Sequence, residues 1–209
     1  GGIVFENTKP TISNVIISDN KATLGGGISN RDSWPTLTNV TISNNTANAG
    51  GGGGYIFASS PIFNNTVISN NSAIVGGGIM VQGSGTISNV TISGNSSEFF
   101  GGGINMVNDG YLIINNSVIN GNTGVGGGLY NPNGDITLNN VTFSNNKSST
   151  YGGAILNTGT ITMNGGEMAG NSASAGGGAI YNTSTVTLNN VSVYADTSSL
   201  GGAILNIAS

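Results

Sequence analysis

Leu37-Thr38-Asn39-Val40-Thr41-Ile42-Ser43 alternates apolar residues with short polar ones, and versions of it return along the whole chain. Alternation with period two marks half-buried strands, with Thr, Ser and Asn turned to solvent. Two apolar columns follow from stacking the copies. One is Ile12, Leu37, Phe63, Ile87, Ile114, Leu138, Met163 and Leu188. The other, five residues later, is Ile17, Ile42, Ile68, Ile92, Ile119, Phe143, Met168 and Val193. Their identical steps put every insertion outside this segment.

Glycine clusters punctuate the copies. The aliphatic or aromatic residue after each cluster reads Ile3, Ile28, Tyr55, Ile79, Ile104, Leu129, Ile155, Ile180 and Ile204, a period of about 25 residues. A fixed period in this range means stacked supersecondary units. The blocks are too short and glycine-rich for a helical repeat. Each supplies three short strands: one after the glycines, one Thr-Leu-Thr-like and one Val-Thr-Ile-Ser-like. The expectation is therefore an all-β chain, residues 1–209, forming one parallel β-helix of about eight coils. At ~4.8 Å per coil it spans roughly 40 Å.

Two asparagine columns accompany the strands. Asn14, Asn39, Asn65, Asn89, Asn116, Asn140 and Asn190 form one, interrupted by Gly165. Asn20, Asn45, Asn71, Asn95, Asn122, Asn146 and Asn171 form the other, ending in Asp196. An amide both donates and accepts, so stacked Asn residues can bond from coil to coil, and Asn tolerates the left-handed backbone of a sharp corner. Both columns are expected to face inward. Of eleven Asn-x-Ser/Thr sequons, those at Asn39, Asn89, Asn95, Asn140, Asn146 and Asn190 are then shielded, leaving Asn44, Asn64, Asn70, Asn115 and Asn182 as candidate glycosylation sites. The glycine clusters lack a following Lys-Ser or Lys-Thr and a helix, so they read as tight corners, not phosphate loops.

Phe143-Ser-Asn-Asn146 followed by Gly152-Gly153-Ala154-Ile155 resembles the repeat of chlamydial polymorphic outer membrane proteins, marked by paired Phe-x-x-Asn and Gly-Gly-Ala-Ile/Leu/Val motifs. The first motif mostly carries Ile here, as in Ile42-Ser-Asn-Asn45; the second recurs at 177–180 and 201–204. The resemblance implies a right-handed β-helix displayed outside the cell, often as an adhesin. The family's membrane barrel and secretion signal are not among these residues.

Composition narrows the chemistry. The chain has four basic and eight acidic residues, no histidine and no cysteine. Lys9, Lys21, Arg31 and Lys147 cannot neutralise a phosphate backbone, which argues against nucleic acid. No apolar run reaches membrane-spanning length, so direct membrane insertion is not expected. No cofactor is implied. Asp109 and Asp135 follow the first strand in adjacent coils and are the best candidates for a carboxylate pair or a weak metal site. Trp34, Tyr111, Tyr130, Tyr151, Tyr181 and Tyr194 form no single column, and Phe99-Phe100 precedes a glycine corner. The outward column Ile16, Thr41, Val67, Thr91, Val118, Thr142, Glu167, Ser192 is a Thr/Val array of the kind that orders water on ice-binding solenoids.

These observations favour a non-enzymatic extracellular or cell-surface structural protein. An adhesin-type glycan or receptor binder, an ice-binding solenoid and a polysaccharide-active enzyme are the alternatives. The chain opens at Gly1-Gly2-Ile3 within a repeat and is read as a processed chain or a segment. Both ends lack polar caps, so head-to-tail self-association into a filament is expected.

Overall fold

A computed structural model of the chain describes residues 1–207, and these form a parallel β-helix. Nine strands, from Ile3–Glu6 and Ile28–Arg31 to Ile204–Asn206, stack one per coil into sheet 1. Sheet 2 has fourteen strands and takes two segments from most coils, such as Thr36–Thr38 and Thr41–Ser43. In two coils the pair runs on as a single strand, Asp135–Ser144 and Thr160–Ala169. Sheet 3 has seven strands, including Thr46–Gly50, Ser72–Val75 and Ser96–Phe100. The alternation in the sequence does not mark this stretch before the glycines, because its side chains are small or irregular. No helix among the described residues is long and apolar enough to cross a membrane.

Both apolar columns of sheet 2 stand as expected. Leu37, Phe63, Ile87 and Ile114 pair in register and are at most 3% exposed. Ile42, Ile68, Ile92 and Ile119 are fully buried beside them. Burying each such side chain contributes roughly 1.5–3 kcal/mol, which makes this continuous stack the main source of stability.

Sheet 1 departs from expectation at one coil. Gly54, not Tyr55, pairs with Ile28 and Ile79, so Tyr55 points outward. The void left by the missing side chain is closed by Ile79, whose Cγ2 lies 3.3 Å from where a Gly54 Cβ would be. A five-glycine run, Gly50 to Gly54, hides this shift in the sequence.

The glycine corner has two separate demands. The first glycine of each corner, which follows Gly50 and Gly176 in two of the clusters, turns the chain through the left-handed region, as at Gly25 with φ +61°. The second is excluded from having a side chain by the neighbouring coil: a Cβ on Gly102 would lie 2.5 Å from the carbonyl oxygens of Gly127 and Thr123. The third position takes Ala154 and Ala179, fully buried, but elsewhere it is as crowded, a Cβ on Gly78 lying 2.4 Å from the Gly103 carbonyl oxygen.

The two asparagine columns have opposite fates. Asn45, Asn71, Asn95, Asn122, Asn146 and Asn171 are buried as expected. The Asn45 amide donates to Asn71 Oδ1 at 3.0 Å and to the Ile17 carbonyl at 2.9 Å, while its backbone N–H donates to the same Asn71 oxygen at 2.9 Å. The pattern repeats coil by coil to Asn171. The other column does not face inward. Asn14, Asn39, Asn65, Asn89, Asn116, Asn140 and Asn190 are exposed, with φ between 48° and 56°. At such a bend the left-handed residue projects outward, and the next one, such as Val40, Val90 or Val141, enters the core. Asn serves here for its backbone tolerance, with weak outer contacts such as Asn39 Nδ2 to Asn14 Oδ1 at 3.2 Å.

A third asparagine ladder lies inside sheet 1. Asn131 donates to Asn157 at 2.8 Å, Asn157 to Asn182 at 2.7 Å and Asn182 to Asn206 at 2.8 Å. Asn182 is therefore buried, contrary to its expected place on the surface.

The opposite fates predict opposite mutational behaviour. Asn95→Leu strands the Asn71 backbone N–H, one proton of the Asn71 amide and the Ile68 carbonyl, while Asn122 Oδ1 keeps the backbone N–H of residue 95. At about 1–3 kcal/mol for each unsatisfied group, a loss of several kcal/mol is expected in a denaturant melt. Asn89→Gly leaves stability nearly unchanged, whereas Asn89→Val costs about 1–2 kcal/mol through the left-handed backbone. Equal effects at positions 89 and 95 would contradict the assignment.

A candidate binding seam along the glycine corner

Because the first glycine of each corner is left-handed, the residue before it and the outward residue of sheet 1 meet on the outside of the corner. The outward column of sheet 1 runs Tyr55, Met80, Asn105, Tyr130, Leu156, Tyr181 in strict register. The flanking positions before the glycines are Val75, Phe100, Val125 and Tyr151. Phe100 stacks on Tyr130 with centroids 4.5 Å apart, and Tyr151 meets Tyr181 at 4.4 Å. Where one partner is large the other can be absent: Met80 fills the space above Gly50, and Leu205 Cδ2 lies 2.6 Å from where a Gly176 Cβ would be. The result is a continuous aromatic and aliphatic seam parallel to the solenoid axis, on the order of 30 Å long at one strand spacing per coil. Tyr55, Tyr130 and Tyr181 thus share a column, which the sequence reading missed by setting Tyr55 in the inward one.

The seam is part wall, part surface. Tyr55 and Leu156 are buried, whereas Phe100 and Tyr151 stay about 40% exposed. Phe99, next to Phe100, is also exposed. Burial raises the pKa of Tyr55, countered in part by Arg31, and raises that of Tyr130. Arg31 itself reaches Glu6 at 3.7 Å. From Val75 to Tyr181 the seam positions carry no formal charge. Asn105 is the exception to their apolar character. It is 4% exposed, and its Oδ1 is buried without a hydrogen-bond partner.

Among the other sequence candidates, Asp109 is exposed in the loop before Gly110, whose carbonyl accepts from the Asp135 N–H at 2.9 Å, and Asp135 pairs in register with Tyr111. No group of three or more His, Cys, Asp or Glu gathers among the described residues. Lys9 lies over the Trp34 ring at 5.2 Å, a local contact of the Trp34-Pro35 loop. The Thr/Val column stands in register on sheet 2 from Ile16 to Thr142, then gives way to Glu167, which accepts from the Tyr194 hydroxyl at 3.2 Å. Among the glycosylation candidates, Asn44 and Asn70 are exposed, Asn64 and Asn115 half-buried and Asn182 buried.

Asp196 takes the last position of the long ladder. Its Oδ1 accepts from the Asn171 backbone N–H at 2.7 Å and side-chain amide at 2.8 Å, but its Oδ2 is buried without a partner. An asparagine at this place would present a donor. Desolvation raises the Asp196 pKa, with the two bonds from Asn171 opposing it. A folded pKa above the unfolded one favours the folded state at acid pH, below the unfolded value, and this contribution is lost as pH rises through the folded value. The last coils should accordingly be protected best in acid, and Asp196→Asn should remove that pH dependence; hydrogen exchange at the Asn171 and Thr197 amides measures it. An unchanged pH profile in the variant would contradict the reading.

The revised inside and outside also shifts the sequons. In a glycosylating host, sugar is expected at exposed Asn39, Asn44, Asn70, Asn89, Asn140 or Asn190 and not at buried Asn95, Asn146 or Asn182. Peptide mass spectrometry checks it, and occupancy at the buried three would contradict the ladder.

No curated protein and no solved structure matches this chain. The family described as "Right handed beta helix region" matches residues 29–193, across the coils that carry the ladder and the seam. With most of its length matched and three parallel sheets wound about one core, the chain belongs to the right-handed β-helix family.

Proposed function

We propose that the chain is a non-enzymatic rod displayed outside the cell, which acts by structure and by contact along its outer seam. The observation that carries this reading is the contrast between the two kinds of surface. Asp109 and Asp135, on adjacent coils, have no third acid or histidine gathered with them among the described residues, while the apolar and aromatic residues are aligned over successive coils. Large exposed apolar positions in register favour contact with a partner over chemistry. The extracellular placement rests on the resemblance of the Gly-Gly-Ala-Ile and Ile-Ser-Asn-Asn motifs to surface-displayed repeats.

Two measurements test the proposal. Incubation with soluble polysaccharides should leave their chain length unchanged on size-exclusion chromatography, and antibody or protease should reach the protein on intact producing cells. Shortened polysaccharide would overturn the non-enzymatic reading, and protection until lysis would overturn the surface placement.

A further inference from the structure

We propose that the seam is a binding site for a neutral, linear polysaccharide lying along the solenoid axis, with the Asn105 side chain as its polar anchor. The inference rests on the reading of the chain as a non-catalytic binding rod and names what that rod binds.

Three features select the ligand. The first is shape: paired rings, Phe100 on Tyr130 and Tyr151 against Tyr181, recur two coils apart along one line. An elongated polymer meets both pairs, whereas a small molecule meets one. The second is charge. The seam positions between Val75 and Tyr181 have none, so an acidic polysaccharide would lose its hydration there without a cationic partner. The third is the orphaned amide. Asn105 sits in the outward column between Met80 and Tyr130, and its buried Oδ1 accepts no hydrogen bond. A buried, unpaired acceptor is costly and calls for a donor. A sugar hydroxyl supplies one while its ring carbons lie on aromatic and aliphatic side chains. Met80, unbranched and flexible, flanks the amide and can move aside to admit it.

An extended peptide fits less well. Strand addition needs unpaired backbone groups, but the corner backbone is already paired from coil to coil, as in Gly76 N–H to the Phe100 carbonyl at 2.9 Å and Gly101 N–H to the Val125 carbonyl at 2.8 Å.

The test is affinity electrophoresis of the whole chain in gels containing mixed-linkage β-glucan, xylan, mannan or galactan, with polygalacturonate and a sulfated galactan as charged comparators. Retardation by at least one neutral polysaccharide is expected, exceeding that by either charged one. Phe100→Ala and Tyr151→Ala remove half-exposed rings and should weaken binding roughly tenfold, each with a small fall in melting temperature from the lost ring pair. Asn105→Leu separates the anchor from a structural role: it removes an unpaired polar group, so the melting temperature should hold or rise while binding falls. No retardation by any neutral polysaccharide, preference for a charged one, or ring variants that bind like the parent would each overturn the proposal. So would a dimer of the parent that Phe100→Ala dissociates, since the seam would then be a contact between copies. Shortening of the polysaccharide is a different failure, that of the non-enzymatic reading.

Discussion

The fold depends on one buried contact repeated from coil to coil: an asparagine whose backbone N–H and side-chain amide both donate to the same oxygen of the next asparagine. From Asn20 to Asp196 this contact fixes the stacking distance and the lateral register together. Hydrophobic burial alone would not do so, because a stack of Ile, Leu and Phe is nearly indifferent to small slips. A shifted ladder instead leaves two donors and an acceptor unpaired inside the core, and that cost makes the register unique. With the register set, everything outside is aligned as a consequence. The Thr and Val columns of sheet 2 and the aromatic seam at the glycine corner are projections of one internal order.

The glycine corner shows how one local constraint creates both wall and surface. A left-handed first glycine and a second glycine pressed against neighbouring carbonyl oxygens allow the chain to turn within three residues. The same sharp turn brings side chains on either side of it into contact outside the core. Some of these contacts set a large residue over a glycine, as Met80 over Gly50, and others stack two rings, as Phe100 with Tyr130. The seam therefore stabilises the corner and also leaves ring surface exposed. Its Asn105 holds a buried Oδ1 with no hydrogen-bond partner among the described residues, so this side chain adds little to the stability of the corner.

Much of this was legible in the residues. The period, the two apolar columns of sheet 2 and the long ladder all appear as expected, since each rests on identical spacing and a single side-chain type. What misled was symmetry between similar letters. Asn39 and Asn45 look equivalent in a list, yet a left-handed residue at a bend points outward and the residue after a bend points in. That distinction lives in φ, and the only trace of it in the sequence is Val40, an apolar residue three positions after Leu37 where alternation would place a polar one. Tyr55 was misplaced because five consecutive glycines offer two possible frames. The ladder through Asn131, Asn157 and Asn182 was visible as an Asn two residues after each aliphatic position, but Ile56, Val81 and Met106 interrupt it. The seam could not be read at all, because it joins residues about 30 positions apart across a corner whose angle no alternation records.

The inside–outside assignment of the asparagines carries the account, and side-chain amide hydrogen exchange tests it most directly. In two-dimensional spectra of the native protein, the side-chain amides of Asn45, Asn71, Asn95, Asn122 and Asn146 should exchange only with opening of the coils, many orders of magnitude more slowly than free amide. Those of Asn39, Asn65, Asn89 and Asn116 should exchange at nearly the free rate. Rapid exchange in the first set, or protection in the second, would contradict the ladder on which the register and the seam depend.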